Sequence, residues 1–356
     1  MRLEDLGWDD WFETRHAALA GPEDVPGRVV IEFNHIFRVM TATGEVEAST
    51  SGRMRHRAER RSELPAVGDW VVVRHRPGEA RTVIQAVLPR RSRFSRKVAG
   101  HLTDEQVVAA NVDVVFLVMA LDADFNLRRL ERYLLLGRES GAAPVVLLTK
   151  PDVCLDVPAL AARASSLAGG LPVHVVSPRH REGLHHVANS LARGRTGALL
   201  GSSGVGKSTL INQLVGVDVQ KTREVRGVDS KGRHTTSHRE LIVLPDGGLV
   251  IDTPGMRELQ LWDVAGAVGV TFGDIESLAL TCHFSNCRHR NEPRCAVKVA
   301  VVKGGLTQAR LDSYLKLQAE LALLAKQQDE RQQIEDRRRG RGTGRPLGAP
   351  TREKGR

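Results

Sequence analysis

The sequence predicts a multi-domain protein with a small N-terminal β-barrel, a central α/β domain and a mostly helical C-terminal domain. Short β-type runs separated by Gly, Pro and charged residues occupy residues 25–95, which is the pattern of a small barrel. Apolar strand-like runs then alternate with helical stretches from 107 to 258, as in a doubly wound parallel sheet. Beyond 258 the β pattern ends, and a cysteine cluster precedes a long helical stretch.

The chain of 356 residues is long enough for several hydrophobic cores. The tail from Arg337 carries eight basic residues and one acid among Gly and Pro, a composition that favours disorder. The expected divisions are an N-terminal extension (1–24), an OB-fold barrel (25–95), an α/β domain (96–258), a helical domain (259–335) and a disordered basic tail (336–356).

The formal net charge of +10 indicates a polyanionic partner such as nucleic acid. Five arginines lie within nine residues, on a predicted loop between two barrel strands where OB-folds commonly contact oligonucleotides. A solvated basic loop without a ligand is the alternative. The candidate RNA contacts are Arg53, Arg55, Arg57, Arg60 and Arg61.

The cellular compartment is inferred from the cysteines and the apolar runs. Four cysteines are too few for a disulfide scaffold in a chain of this length. The N-terminus lacks a long apolar core, and the longest apolar run, Val114 to Leu121, is far too short to span a bilayer. We therefore expect a cytoplasmic protein with no membrane partner.

A complete phosphate-binding loop, Gly-x4-Gly-Lys-Ser, stands between a predicted strand (197–200) and a predicted helix. Its glycines allow backbone N–H groups to surround phosphate oxygens at a helix N-terminus. The lysine is expected to reach the β and γ phosphates, and the serine hydroxyl to bind Mg²⁺. The predicted nucleotide contacts are Gly201, Ser202, Ser203, Gly204, Val205, Gly206, Lys207, Ser208 and Thr209.

A second acidic motif, Leu-Val-Ile-Asp252-Thr-Pro-Gly255, follows the loop at a distance that leaves room for a switch segment. Asp252 is predicted to hold the Mg²⁺ shell. The N–H of Gly255 is predicted to contact the γ-phosphate.

The motif Thr149-Lys150-Pro-Asp152 ends an apolar strand upstream of the phosphate loop and resembles the guanine-specificity motif of GTPases. The Asp152 carboxylate can accept from N1–H and N2–H₂ of guanine, a donor pair that adenine lacks. The Lys150 stem would cover the base, and Thr149 would brace the loop. Ser177 ends another strand where GTPases use backbone N–H groups to contact guanine O6, although Pro178 departs from the usual Ser-Ala pair.

These base-contacting motifs precede the phosphate loop, whereas ordinary Ras-like GTPases have them after it. The order predicts a circularly permuted GTPase, because permutation leaves strand ends in place and moves only the connections. An ATP-using P-loop kinase is an alternative that requires Asp152 to have no role in base recognition.

The cysteine cluster has the composition of a closed tetrahedral Zn²⁺ site with a structural role. Three of the four cysteines of the chain and a histidine lie within fourteen residues. His283 is a weaker candidate than His289, because it directly follows the first cysteine. The predicted ligands are Cys282, Cys287, His289 and Cys295.

The permuted motif order, the Gly201–Ser208 loop, Asp252-Thr-Pro-Gly, Gly232-Arg-His-Thr-Thr-Ser237 and the cysteine cluster together resemble the RsgA/YjeQ family of GTPases. The resemblance implies an OB-fold, a permuted GTPase domain and a zinc domain. It further implies a monomer that binds the 30S ribosomal subunit and its 16S rRNA late in maturation. Ribosome-stimulated hydrolysis of GTP with Mg²⁺ would then drive release.

The catalytic group is also implied by this resemblance. Met256 stands where Ras-type enzymes have a glutamine that positions water, and a thioether cannot do so. His234 matches the switch histidine of the family and is the candidate catalytic residue, with a structural or RNA-contact role as the alternative. Thr235 or Thr236 would complete the Mg²⁺ ligands. The alternative function is a nucleotide-stabilised RNA-binding scaffold with little hydrolysis.

Overall fold

The computed structural model of the chain describes residues 1–33, 35–75, 81–97, 105–216, 239–252, 268–269 and 271–342. The N-terminal extension forms a 3₁₀ helix (Leu3–Leu6) and helix α1 (Asp10–Ala17). Asp9 is the N-cap of helix α1, and its side chain accepts hydrogen bonds from two N–H groups of the first turn. The ring of Trp8 contacts that of Trp70, with 4.6 Å between the centroids, so the extension packs on the barrel that follows.

Five strands close into the N-terminal barrel: β1 (Asp24–Phe33), β2 (Ile36–Thr41), β3 (Gly44–Thr50), β4 (Trp70–Arg74) and β5 (Thr82–Val87). The barrel is closed because β1 pairs with both β2 and β4, and β3 and β4 both pair with β5. Buried apolar side chains fill its interior, among them Val29, Phe37 and Ile84. The predicted N-terminal β-barrel is confirmed.

The arginine-rich segment between β3 and β4 was predicted to be a loop, and this prediction is wrong for most of it. Residues Gly52–Arg57 form helix α2, and Arg61–Glu63 form a 3₁₀ helix. Ser51 initiates α2 by accepting a 3.1 Å hydrogen bond from the N–H of Met54. All five candidate RNA-contact arginines are exposed.

A hairpin of β6 (Arg93–Lys97) and β7 (Glu105–Ala110) connects the barrel to the α/β domain. The parallel strands of that domain are β8 (Val114–Ala120), β9 (Ala143–Thr149), β10 (Val173–Val175) and β11 (Thr196–Leu200). The helices that follow them are α3 (Leu127–Glu139), α4 (Val157–Ala168), α5 (Leu184–Ser190) and α6 (Lys207–Val215). Every residue of β8 is buried, as expected for an apolar strand covered on both faces.

An antiparallel strand, β12 (Arg239–Val243), joins the α/β domain to the barrel. It pairs on one side with β13 (Leu249–Asp252), which is parallel to β11, and on the other side with β1. The result is one eleven-stranded sheet with the order β10-β9-β8-β11-β13-β12-β1-β2-β3-β5-β4. The predicted α/β architecture is confirmed, and the sheet continues into the barrel.

The C-terminal region is helical, with α7 (Gly273–Ala279), α8 (Ala296–Val302) and α9 (Gln308–Gly342). Helix α9 passes Arg337, where the sequence analysis placed the start of a disordered tail, because the arginines of this stretch favour a helix and glycines begin only at Gly340. Residues 343–356 lie outside the described part. Within the described ranges, the structure contains no helix that is both long and apolar enough to cross a membrane.

Three ion pairs attach α9 to α3, one of them between Arg128 and Asp312 at 3.9 Å. Arg310 Nη1 lies 2.9 Å from Glu131 Oε1, and Arg132 donates to both carboxylate oxygens of Glu320 at 2.9 Å. Burial raises the pKa of Glu131, while Arg310 partly offsets this shift. The C-terminal helix is therefore anchored to the α/β domain by charged groups that are partly removed from water.

Arg28 of β1 is buried, with 1% of its surface exposed, and connects three parts of the chain. Its guanidinium donates to three main-chain carbonyls, those of Leu6, Gly68 and Asn111. The 5.5 Å between its Cζ and the ring centroid of Trp70 adds a cation–π contact. Burial lowers the pKa of Arg28 to about 10, so the group stays charged at neutral pH.

We expect Arg28→Met to lower the free energy of unfolding by about 3 kcal/mol, because buried carbonyls lose their charged donor. Arg38→Met on β2 is the control, since the Arg38 side chain is 57% exposed; its effect should stay within about 0.5 kcal/mol. Urea unfolding measures both values. Equal effects of the two substitutions would show that Arg28 does not hold these segments together.

Candidate functional site

Five strand ends meet at one edge of the sheet. Strands β10, β9, β8, β11 and β13 are parallel neighbours in that order, so their carboxyl ends lie together, where open α/β sheets bind ligands. This edge carries the predicted residues Ser177, Thr149, Gly201 and Asp252. The strands that end at the candidate base contacts, β9 and β10, precede the phosphate-loop strand β11 in the chain.

The phosphate loop connects β11 to α6 and has room for an anion. Gly204 and Gly206 have φ values of +77° and +98°, a region that favours glycine, and a Cβ at either position would meet no atom within 4 Å. No side chain caps α6 at Gly206, so a phosphate can accept from its first N–H groups. Lys207 Nζ donates to the carbonyls of Gly201 and Ser202 at 2.7 and 2.6 Å, which places its charge beside the loop.

Gly201 is required by close packing, not by its φ. A Cβ there would lie 2.5 Å from the carbonyl oxygen of Val118 in β8. Strand β8 therefore supports the start of the loop directly.

Thr149 braces the same loop from β9. Its side chain is fully buried, and Oγ1 donates to the carbonyl of Val205 at 2.6 Å. The predicted bracing contact is present in the structure. The hydroxyl is engaged inside the protein, so Thr149 supports the nucleotide site through the loop.

Lys150 follows Thr149 with a φ of 56°, and its Nζ donates to Asp122 Oδ2 at 2.8 Å. This bond is the main reason why the pKa of Asp122 is lowered. The sequence analysis predicted that the Lys150 stem covers the base, and it missed Asp122. The available signal was the position of Asp122, two residues after the buried strand β8.

A second missed group holds Ser202 of the phosphate loop. Arg129, in the first turn of α3, donates to Asp124 and, over 3.2 Å, to the Ser202 hydroxyl. The Ser202 hydroxyl donates to Asp124 Oδ2 over the same distance. The hydrogen bond from Arg129 is the main reason for the lowered pKa of Asp124. Because Arg129 also contacts Ser202, helix α3 positions one side of the loop.

The two remaining base-contact candidates differ in their surroundings. Asp152 is exposed on a 3₁₀ helix (Pro151–Val153) at the same edge. Ser177 is buried, its N–H donates to the carbonyl of Glu182 at 2.9 Å, and its Oγ lies 2.9 Å from His180 Nδ1. Because Pro178 has no N–H, the predicted backbone contact with guanine O6 has no uncommitted donor at 177 or 178.

The candidate Mg²⁺ ligands are partly described. Ser208 is exposed in the first turn of α6, and Asp252 is the last residue of β13. A serine hydroxyl and an aspartate beside a phosphate loop fit Mg²⁺ bound together with a nucleotide. The other predicted residues, His234, Thr235, Thr236 and Gly255, lie outside the described residues.

The four predicted zinc ligands converge, and their ligand atoms all lie within 4.8 Å of one another. Cys282 Sγ is 3.9 Å from Cys295 Sγ and 3.6 Å from His289 Nδ1. Zn–S bonds of about 2.3 Å in a tetrahedron put two sulfurs about 3.8 Å apart, so the cluster fits Zn²⁺. Of the two candidate histidines, His289 is the one whose ring nitrogen lies among the three cysteine sulfurs.

The metal centre and the helices around it are packed together. Cys295 and His289 are buried, and Cys295 directly precedes α8. Tyr314 of α9 lies near the His289 ring and donates to Glu276 of α7 at 2.7 Å. A bound metal would thus add to the contacts among these helices, which also share buried apolar side chains such as Ile275, Val297 and Leu311.

Cys287→Ala should reduce bound zinc from about one ion per chain to a small fraction, because three ligands hold the ion far less tightly than four. Cys154→Ala, which changes the cysteine outside the cluster, should retain the ion. Metal analysis of the purified proteins measures both. Unchanged zinc in Cys287→Ala would rule out this ligand set.

The chain was compared with protein families and with known proteins. A family model described as RsgA GTPase matches residues 87–262. A small ribosomal subunit biogenesis GTPase RsgA from Opitutus terrae is 47% identical over 338 residues, which cover 92% of each chain. One from Oceanobacillus iheyensis, RsgA 1, is 45% identical, covering 90% of this chain and 91% of the relative.

Solved structures give the same result. YjeQ from Thermotoga maritima aligns with a TM-score of 0.59 and 27% identity, over 84% of this chain and 99% of that one. YloQ, described as a circularly permuted GTPase, aligns with a TM-score of 0.58 and 25% identity, over 85% and 96%. From the sequence identity, the coverage and the matching fold, this chain belongs to the RsgA GTPase family.

Proposed function

We propose that the protein is a GTP hydrolase that binds the 30S ribosomal subunit, assists its late maturation and leaves when GTP is hydrolysed. The observation that supports this best is the shared sheet edge, where parallel strands bring the phosphate loop, the Asp152 segment and Asp252 together. The relatives named as small ribosomal subunit biogenesis GTPases support the choice of partner.

The residues at this edge are proposed to bind different parts of the nucleotide and its Mg²⁺. Lys207 and the N–H groups of the loop bind the phosphates, and Asp152 selects guanine through N1–H and N2–H₂. Ser208 and Asp252 would hold Mg²⁺, which lowers the charge repulsion between the γ-phosphate and an attacking water. Lys150 and Asp122 keep the base-contact segment in place beside the loop.

His234 is proposed to orient the attacking water, because Met256 cannot replace the glutamine of Ras-type enzymes. Thr235 or Thr236 would add a switch ligand to Mg²⁺. Hydrolysis should be slow without the ribosomal subunit, because the water-positioning element is incomplete without a partner.

The proposed partner contact is the arginine segment of the barrel. Its five exposed cations can neutralise phosphates of 16S rRNA. A monomeric protein acting in the cytoplasm agrees with this assignment. Loss of the γ-phosphate would alter the contacts of the segment that contains His234. This segment leads into β12, which pairs directly with barrel strand β1.

Phosphate release from GTP, with and without purified 30S subunits, tests the proposal. We expect a basal rate on the order of 10⁻⁴ to 10⁻² s⁻¹ and an increase of at least about tenfold with the subunits. ATP should give no such increase. His234→Ala should bind GTP normally and lose the increase, whereas His185→Ala, which changes an exposed histidine of α5, should behave as wild type.

Cosedimentation on the same samples separates the alternatives. A protein that cosediments with 30S subunits in a nucleotide-dependent way but never hydrolyses GTP faster would be a scaffold. Equal stimulation of ATP and GTP hydrolysis would contradict the role of Asp152.

A further inference from the structure

A cavity of about 250 Å³ opens beside the arginine segment of the barrel. Apolar side chains line its inner part: Phe37, Leu64 and Val107, of which the first and third are buried. Pockets for drug-sized ligands span about 300–1,000 Å³, so this cavity suits a single flat ring system rather than a larger ligand.

The rim of the cavity is cationic. Arg55 of α2 and Arg61 both line it, as does the exposed His35 at the β1–β2 turn. Within the described part of the chain, no ion pair neutralises these two arginines or the neighbouring Arg53, Arg57 and Arg60. The five uncompensated positive charges beside an apolar cavity complement a phosphate chain that carries bases.

Among the described residues that line the cavity there is one acid, and it is already paired. Glu32 Oε2 lies 3.0 Å from Arg239 Nη1, and both side chains are mostly buried. Its charge is therefore largely offset, and it does not oppose the approach of a phosphate. Gln106 and Thr50 add polar groups to the wall, which can hydrogen-bond to the edge of a base.

We propose that the cavity between the β1–β2 turn, α2 and β7 binds one unstacked base of a single-stranded RNA, with Arg55 and Arg61 on the adjoining phosphates. The inference rests on the proposed RNA-binding function and goes beyond it, because it assigns a base-binding contact to a surface otherwise expected to bind only the backbone. RNA that offers only a phosphate backbone therefore binds more weakly than RNA with bases.

Fluorescence anisotropy at one fixed salt concentration tests this with fluorescein-labelled hexauridylate and the same hexamer built from abasic riboses. Wild type should bind the uridylate about tenfold more tightly, since stacking of a base contributes that order of affinity. Leu64→Trp fills the cavity and should bind the uridylate as weakly as the abasic hexamer, whose affinity it should leave unchanged.

Two further variants keep the test independent of the folding of Leu64→Trp. His35→Asn removes the rim ring while retaining a residue that tolerates the φ of 63°, and it should reduce the preference for the uridylate. Arg60→Ala removes an exposed arginine of the same segment that does not line the cavity, and it should weaken both hexamers equally.

Equal binding of the two hexamers by wild type would overturn the base site. The base site would also be overturned if both His35→Asn and a folded Leu64→Trp kept the full preference for the uridylate over the abasic hexamer. If 30S cosedimentation persisted in those cases, the proposed function would stand without the base site. Absence of both RNA and 30S binding would contradict the base site and the proposed function together.

Discussion

The pairing of β1 with β12 is the contact on which the arrangement of the molecule depends. Strand β1 pairs with β2 and β4 to close the barrel, and near its end it also pairs with β12 through Ile31 and Glu32. Strand β12 in turn pairs with β13, which ends in Asp252. The barrel and the candidate nucleotide site thus belong to one sheet with a continuous set of backbone hydrogen bonds.

Helix α3 provides a second connection between the functional parts. At its first turn Arg129 contacts Ser202 of the phosphate loop, and further along Glu131 and Arg132 hold α9. Helix α9 packs near the zinc ligands through Tyr314. A change at the phosphates can therefore reach the barrel through β12 and the metal centre through α3, since rigid elements with few alternative packings transmit displacement.

The site could be predicted where its chemistry depends on local spacing. The phosphate loop, the Asp252 motif and the zinc ligands lie within short segments, and the fold class followed from strand periodicity. The strands β3, β6, β7 and β12 were not predicted; β3 alternates acids with small residues, and β6 and β12 are short and mixed in character.

Contacts between distant segments gave no signal in the sequence. Asp122 and Asp124 resemble ordinary turn residues until β8 and β9 are placed side by side, and Arg28 resembles a solvent-facing residue in a strand. The arginine segment was predicted to be a loop because its charge pattern obscured the start of α2 at Ser51. Tertiary packing, which local patterns do not encode, decides each of these features.

The coupling of barrel and nucleotide site is tested most directly by thermal unfolding of a Trp262→Phe variant, followed by fluorescence. The remaining tryptophans, Trp8, Trp11 and Trp70, belong to the extension and the barrel, so the signal reports that region alone. With GDP and Mg²⁺ at about 100 times the dissociation constant, a shared sheet should raise this midpoint by about 5 °C. A midpoint that stays the same, while calorimetry shows that GDP stabilises the α/β domain, would contradict the coupling.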